Sequence, residues 1–239
     1  MADVVLITGA AKRIGRFLAE FLAKEGFEIV LHFGTSQSEA ADVKQNIEAA
    51  GGKCYLLQAD LSDPEAAAQI FENLQQNGIR VRYLIHNASL FENIRFETMN
   101  PTNWQRHLQV NLTTPIFLNQ AFAAQLEKGE SGRIIHLLDW RALRPGVDHF
   151  PYTISKAALA SVTQSLALAL APQIQVNGIA FGAILPPSDG GDTRKILDNV
   201  PAQRWATLEE VGLTVLFLLT GPAYITGEII HLDGGRHLL

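Results

Sequence analysis

Residues 6–15 read LITGAAKRIG, and their order decides what kind of sheet the chain builds. The apolar run Val4–Ile7 leads through Thr8 into Gly9, and a helical pattern follows a few residues on, with apolar residues at 14, 17, 18, 21 and 22. A short, continuous apolar run followed by a helical period reads as a buried strand feeding a crossover helix. Gly9 permits the tight turn between them, and Gly15 lets the helix pack closely on the sheet. The N–H groups exposed where that helix starts, with its positive end, favour a pyrophosphate. Turns use glycine for purely conformational reasons too, so the weight comes from the position of this turn after the first strand.

The same alternation runs to the end of the chain. Further strands are predicted at Ile29–Phe33, Tyr55–Gln58, Tyr83–His86, Arg133–Leu138, Gln175–Ile179 and Glu228–His231, and helices over 36–49, 64–77, 102–128, 152–171 and 207–220. Continuous Val/Ile/Leu strands mean that both sheet faces are covered. The expectation is an α/β, Rossmann-type, doubly wound architecture: one seven-stranded parallel sheet with helices on both faces, in a single domain over 1–239. One stretch breaks the rhythm. Residues 182–205, rich in Pro, Gly and Asp at their start, are expected to form a substrate lid, or alternatively a disordered loop.

The chain has 239 residues, of which 47% are hydrophobic and 18% charged, enough apolar material for a sizeable core. A net charge of −5 with no basic run argues against nucleic acid as a partner. The one cysteine, Cys54, cannot form an intramolecular disulfide and sits at a strand start, where it reads as core filler. The N-terminus lacks the pattern of a secretion signal, and no uninterrupted apolar run is long enough for a membrane span. A cytoplasmic location, with no membrane partner and no metal site, is expected.

Cofactor choice is read where the second strand ends. A carboxylate there would bind a ribose 2′-OH. This chain instead has Gly34, Thr35 and Ser36, with no acid before Glu39 and with Lys12 and Arg13 nearby in the first turn. That pattern accommodates a 2′-phosphate and favours NADPH; residues 34–36 also make an ordinary helix cap, which is compatible with it. Asp60, after the third strand, is placed to meet an adenine or simply caps a turn.

Tyr152 and Lys156 are four apart and share a helix face. An ammonium beside a phenol lowers its pKa from about 10, which makes Tyr152 a candidate proton donor. Asp139 lies thirteen residues upstream, at the end of an apolar strand.

With these motifs in hand, the chain resembles the short-chain dehydrogenases/reductases over essentially its whole length. The resemblance rests on Thr8-Gly9 through Gly15, Asp60, HNAS at 86–89, Asn111, Tyr152-x-x-x-Lys156, VNGIAFG at 176–182 and ITGEIIHLDGG at 225–235. Three departures narrow it: Arg13 replaces the family's middle glycine, Asp139 stands where a serine is usual, and Leu90-Phe91 follow NAS. Arg in the turn and Asp for Ser look like the pteridine reductases, and the closing LDGGRHLL is similar to the bacterial dihydromonapterin/dihydrofolate reductases of that branch. The resemblance implies NADPH-dependent reduction of a dihydropterin to its tetrahydro form by an enzyme that is typically a homotetramer. It implies a cofactor site of Gly9, Lys12, Arg13, Ile14, Gly15, His32, Thr35, Ser36, Asp60, Leu61, Asn87, Ala88, Ser89, Gly182 and Ile184, joined by Tyr152 and Lys156. It places Arg13, Ser89, Phe91, Asp139 and Tyr152 around the pterin, and makes Asp139, Tyr152 and Lys156 the catalytic group, supported by Asn111. Relatives often carry Arg at the position of Thr35, which implies a weaker preference for the 2′-phosphate here.

Asp139 separates two reactions. Carbonyl reduction leaves negative charge on oxygen, and a carboxylate about 4 Å away opposes it by roughly 4 kcal/mol at an effective dielectric of about 20. That penalty approaches three decades in rate. Reduction of a C=N bond needs a proton on nitrogen and passes through positive charge, which a carboxylate assists. Three readings of Asp139 therefore stand side by side: proton delivery to a ring nitrogen, a strand-end cap, and a partner of Arg141 or Arg144. A carbonyl reductase of the 3-oxoacyl type and a non-catalytic NADPH-binding sensor are the alternatives for the whole chain. Phe91 is the candidate ring to stack on a pterin, or else it packs down as a loop aromatic. His136 reads as a satisfied core histidine, His149 as a residue beside the site rather than a ligand, and Trp140 and Trp205 as wall or core.

Overall fold

The structure, a computed structural model, describes residues 2–186 and 196–239. Residues 187–195, in the middle of the expected lid at 182–205, lie outside the described residues. The strands are β1 (Val4–Ile7), β2 (Glu28–Phe33), β3 (Cys54–Gln58), β4 (Tyr83–His86), β5 (Gly132–Asp139), β6 (Ile174–Phe181) and β7 (Ile229–Leu232). They form one seven-stranded parallel sheet in the order β3-β2-β1-β4-β5-β6-β7. The helices are α1 (Arg13–Lys24), α2 (Gln37–Ala49), α3 (Ala66–Gln76), α4 (Pro101–Leu108), α5 (Thr114–Gln125), α6 (Phe150–Leu170) and α7 (Leu208–Thr220).

Alternation along each strand divides the core into two layers. Val5, Ile7, Ile29, Leu31, Ile85 and Ile135 face Leu18 and Leu22 of α1, Val43 and Ile47 of α2 and Val215 of α7. Leu6, Val30, Leu84, Ile134 and Val176 face Ile70 and Leu74 of α3 and Leu118 and Phe122 of α5. Both faces of the central strands are buried, which is why those strands read as unbroken apolar runs. Strand order reverses beside β1, between the β1-β2-β3 and β4-β5-β6 halves, and the crevice at a parallel sheet's carboxyl edge there is where ligands bind.

The helix expected over 102–128 is in fact two, α4 and α5, joined by a π-helical turn at Gln109–Thr113. Pro115 explains the break, because in a regular helix its ring would strike the carbonyl of Asn111, four residues earlier. The wider turn relieves that clash and turns Asn111 inward, where it is 1% exposed. Helix α6 is 21 residues long and, by length and composition alone, apolar enough to cross a membrane. Here it packs on the sheet, with Tyr152, Ser155, Lys156 and Thr163 all buried.

A buried polar chain ties the central strands to the helices over them. His86 Nε2 meets Asn119 Oδ1 at 2.6 Å, Asn119 Nδ2 meets His136 Nε2 at 3.0 Å, and His136 Nδ1 meets Thr163 Oγ1 at 2.8 Å. Thr163 then donates to the Leu159 carbonyl at 2.8 Å. Only one assignment of protons satisfies every link: His86 carries its hydrogen on Nε2 and His136 on Nδ1. Burial lowers both imidazole pKa values, that of His86 to about 4, so both rings are neutral. His136 is thus the satisfied core histidine its strand position predicts. Asn119→Ala leaves His86 and His136 without their shared partner and is expected to lower the unfolding free energy by about 3 kcal/mol, as read from the urea midpoint at unchanged slope.

Candidate active site

The carboxyl ends of β1, β4, β5 and β6 open onto a cleft of about 1160 Å³. It gathers Gly9, Lys12, Arg13, Ile14, Gly15, His32, Thr35, Ser36, Asp60, Leu61, Asn87, Ala88, Ser89, Gly182 and Ile184 together with Phe91, Asp139, Tyr152 and Lys156. Residues far apart in the chain meet here because every parallel strand ends on the same edge.

At one end the glycine turn is locked in place. Gly9 has φ +64°, and a Cβ on it would lie 2.9 Å from Ala88 Cα. A Cβ on Gly15 would overlap the Gly9 carbonyl oxygen, so α1 cannot approach with anything larger. Asn87 Nδ2 donates to the carbonyls of Thr8 (2.8 Å) and Gly9 (2.9 Å), and Thr8 Oγ1 accepts from the backbone of Asn87 (3.0 Å) and Ala88 (3.1 Å). His32 links three strand ends: Nδ1 accepts from the Gly9 N–H at 3.1 Å and Nε2 donates to the Ala59 carbonyl at 3.1 Å. Burial lowers its pKa to about 4, which agrees with a neutral ring. His32 therefore shapes the cofactor wall with both nitrogens already engaged.

Arg13, where the turn would ordinarily have glycine, adopts φ +54°. A left-handed non-glycine residue costs about 1–2 kcal/mol, so surrounding contacts must hold it there. Its guanidinium donates to the Pro186 carbonyl at 2.6 Å, across the cleft. Helix α1 begins at Arg13 with no side-chain cap on its N-terminus and no acid in its first turn. Its first N–H groups are left for an anion. Beyond β2, Thr35 and Ser36 line the wall, and the first carboxylate, Glu39, pairs with Lys12 at 2.7 Å. Asp60 caps its own turn by accepting from Ser62 N (2.9 Å) and Oγ (2.8 Å), bonds that lower its pKa. The capping alternative is thus realised while the residue also lines the cleft.

At the other end, Asp139 closes β5 and Tyr152 begins the second residue pair of α6. Tyr152 Oη donates to Asp139 Oδ2 at 3.1 Å, and Asp139 Oδ1 accepts from the Arg141 N–H at 2.8 Å. The Arg141 guanidinium lies 3.7 Å from Asp139 Oδ1 and 2.9 Å from Asp148 Oδ2. Asp139 is thus a strand-end cap and a neighbour of Arg141 at once, and it also holds the Tyr152 hydroxyl.

One expectation is overturned. The pKa of Tyr152 shifts upward, not downward as expected from Lys156. The Lys156 Nζ donates to the Leu137 carbonyl at 2.7 Å and lies 5.8 Å from the centre of the tyrosine ring. Burial, the Asp139 charge and the bond to Asp139 together raise Tyr152 well above its usual 10. Burial also lowers Lys156 to about 8, with Asp139 acting against it. Helical spacing placed the two residues on one face but could not reveal that a strand carbonyl captures the ammonium.

Asn111 stands behind the wall. Its Oδ1 accepts from Leu90 N (2.8 Å) and Ser89 Oγ (3.2 Å), and its Nδ2 donates to Leu90 O (3.0 Å) and Ser155 Oγ (3.1 Å). It is a positioning residue that fastens the loop after β4 to α6. Phe91 stacks on His149 at 4.0 Å and meets Tyr152 edge-on at 4.7 Å. One ring face is thus taken, and His149, 7% exposed, is its backing. Trp140 and Trp205 both line the cleft. Sequence reasoning missed the Arg141–Asp148 pair and Arg236, which lies over the Trp140 ring at 4.0 Å. The only signal for the first was Arg141 two residues after Asp139, and for the second the closing DGGR.

Residues 9–237 match the family model described as enoyl-(acyl carrier protein) reductase. A 3-oxoacyl-[acyl-carrier-protein] reductase of Synechocystis sp. is 30% identical over 238 residues, 98% of this chain and 96% of the relative. Among solved structures, the chain is similar to the FolM alternative dihydrofolate reductase 1 of Brucella canis complexed with NADP, with 36% identity, a TM-score of 0.88 and coverage of 99% and 95% of the two chains. The Brucella suis protein of the same name, also in complex with NADP, gives 35%, 0.87, 99% and 96%. With a seven-stranded parallel sheet, a glycine turn at its switch point and this match over almost the whole chain, the protein belongs to the short-chain dehydrogenase/reductase family.

Proposed function

We propose that the protein is an NADPH-dependent reductase of a dihydropterin, the class that includes dihydromonapterin, dihydrobiopterin and dihydrofolate. The observation that carries this reading is the hydrogen bond from Tyr152 Oη to Asp139 Oδ2. The cofactor fits the residues present. The glycine turn leaves no room for a side chain, the N-terminus of α1 has no cap or acid, and the end of β2 offers Thr35 and Ser36 with the nearest carboxylate engaged by Lys12. The first N–H groups of α1 would hold the pyrophosphate, and Lys12, Thr35 and Ser36 the 2′-phosphate. When bound, NADPH supplies the hydride.

The chain's own residues handle the proton. A C=N bond that receives hydride at carbon must gain a proton at nitrogen, and Tyr152 and Asp139 hold one between them at the cleft wall. Tyr152 stays protonated across the neutral range, since burial and Asp139 raise it. It gives that proton to the ring nitrogen while the π pair of C=N becomes the N–H bond, and solvent restores it. The Asp139 charge favours the positive charge that develops on the ring, and the Arg141 N–H holds the carboxylate in register. Phe91, stacked on His149 and lining the cleft, is the aromatic side chain that would meet the flat ring. The two FolM structures, named as alternative dihydrofolate reductases with NADP, support both substrate class and cofactor.

A second reading, reduction of a 3-oxoacyl thioester, is favoured by the 30% identical acyl-carrier-protein reductase. Asp139 opposes it, for its charge would face an alkoxide. NADPH oxidation with a dihydropterin, and separately with an acetoacetyl thioester, decides between them; turnover of the thioester alone would overturn the pterin reading. Asp139→Ser is expected to lower kcat/KM for the dihydropterin by about 10²–10⁴. Lys156, which also lines the cleft, would hold the cofactor through its ammonium, so the profile of kcat/KM against pH is expected to be level up to about 8 and to fall above it, as that charge is lost. A flat profile through pH 10 would remove Lys156 from the mechanism. Exposed apolar residues on α5, α6 and α7, among them Phe117, Leu168 and Phe217, accord with the expected homotetramer, for which light scattering should give four times the chain mass.

A further inference from the structure

We infer that Arg236, laid on the Trp140 ring, is a recognition site for a carboxylate that the substrate carries away from its reducible ring. The inference rests on the pterin reading for the remainder of the ligand.

Among the described residues, six lysine and arginine side chains line the cleft: Lys12, Arg13, Arg106, Arg141, Lys156 and Arg236. Five of them are engaged. Lys12 pairs with Glu39 at 2.7 Å, Arg13 donates to the Pro186 carbonyl at 2.6 Å, and Arg106 pairs with Glu92 at 3.1 Å. Arg141 pairs with Asp148 at 2.9 Å, and Lys156 donates to the Leu137 carbonyl at 2.7 Å. Among the described residues, the Arg236 side chain has neither a hydrogen bond nor an ion pair. Its guanidinium carbon stands 4.0 Å from the centre of the Trp140 ring, and the residue is half-buried. The charged groups around it are Arg141, which disfavours its charge, and Asp139, Asp148 and Asp233, which favour it without reaching it. A guanidinium stacked on an indole keeps its N–H donors in the ring-parallel plane, free for a bidentate acceptor. It has shed water on one face without gaining an acceptor, and an incoming carboxylate supplies one.

The backbone that presents Arg236 is built rather than loose. Asp233, 4% exposed, accepts from Gly235 N (3.0 Å) and His237 N (2.8 Å) and meets the His237 ring at 3.0 Å. Gly234 and Gly235 take left-handed φ values of +64° and +85°, hemmed in by Val200 and Pro201. A Cβ on Gly182 would lie 2.6 Å from Asp233 Cα, so the turn is seated directly against the end of β6. The C-terminal turn therefore holds a surplus cation at the same end of the cleft as Asp139. A neutral dihydropterin has no use for it, whereas a pterin extended by a benzoylglutamate tail brings carboxylates to match.

Calorimetric titration of the NADPH-loaded enzyme with 4-aminobenzoylglutamate, and with its uncharged dimethyl ester, tests this without requiring turnover. The diacid is expected to bind the native protein at least about tenfold more tightly than the diester, a preference that Arg236→Gln abolishes and Arg236→Lys partly keeps. Equal binding of the two probes, no binding of either, or a preference that survives in a folded, NADPH-binding Arg236→Gln protein would overturn it. Tighter binding of 4′-phosphopantetheine than of the diacid would overturn it in favour of a phosphate subsite. Failure of the pterin reading shows separately, as absence of NADPH oxidation by the native enzyme with any dihydropterin.

Discussion

Asp139 has two oxygens and gives them to different partners. Oδ1 is held by the backbone N–H of Arg141, with the guanidinium beyond it, and Oδ2 takes the hydroxyl of Tyr152. The first contact is local, two residues along the chain, and comes with the turn that ends β5. The second crosses from sheet to helix and sets where the phenol points. Around this one carboxylate the other catalytic-end contacts arrange themselves: Arg141 reaches on to Asp148, Asp148 lies beside His149, and His149 supports Phe91. A neutral side chain at 139 would keep the cap only if it retained an acceptor. It would also lose the charge that holds Arg141 between two acids.

The nucleotide end is governed by exclusion rather than attraction. Gly9 and Gly15 matter because the atoms of Ala88, Asn87 and Gly9 itself already occupy the space a side chain would need. His32 and Asn87 then stitch the strand ends together with neutral hydrogen bonds, leaving the helix start and the two hydroxyls after β2 as the polar surface that faces the cleft. Arg13 accepts an unfavourable backbone conformation there, and its bond to Pro186 spans from the first turn to the segment after β6.

Much of this was legible in the sequence, for identifiable reasons. Strands buried on both faces have to be continuously apolar, so Val4–Ile7 and Ile29–Phe33 announced themselves, and helical periodicity marked α1 at once. The cleft residues were legible because a parallel sheet brings the ends of β1, β4 and β5 to one edge whatever the loops do. What was not legible depends on contacts between distant segments. The π-helical turn at Gln109–Thr113 follows from a single proline meeting a carbonyl four residues back, a clash that a periodicity reading passes over. The partner of Lys156 is a main-chain carbonyl on another element, which no residue spacing encodes. Arg236 sits in the closing LDGGRHLL, whose resemblance to a family says nothing of where its side chains lie, and its place over Trp140 arises from the tightly seated turn at Asp233.

The chain of bonds from His86 through Asn119 and His136 to Thr163 has a direction. Every link donates the same way, from β4 towards the backbone of α6, and finishes on the Leu159 carbonyl. Turning the Asn119 amide over would set donor against donor at His86 and acceptor against the proton-free nitrogen of His136, unless both rings exchanged tautomers together. The interior beneath the reacting groups therefore behaves as one collective dipole, reversible only if its members turn together. Its orientation is fixed when α5 and α6 dock onto the sheet, and thermal motion of any one side chain cannot reverse it piecemeal.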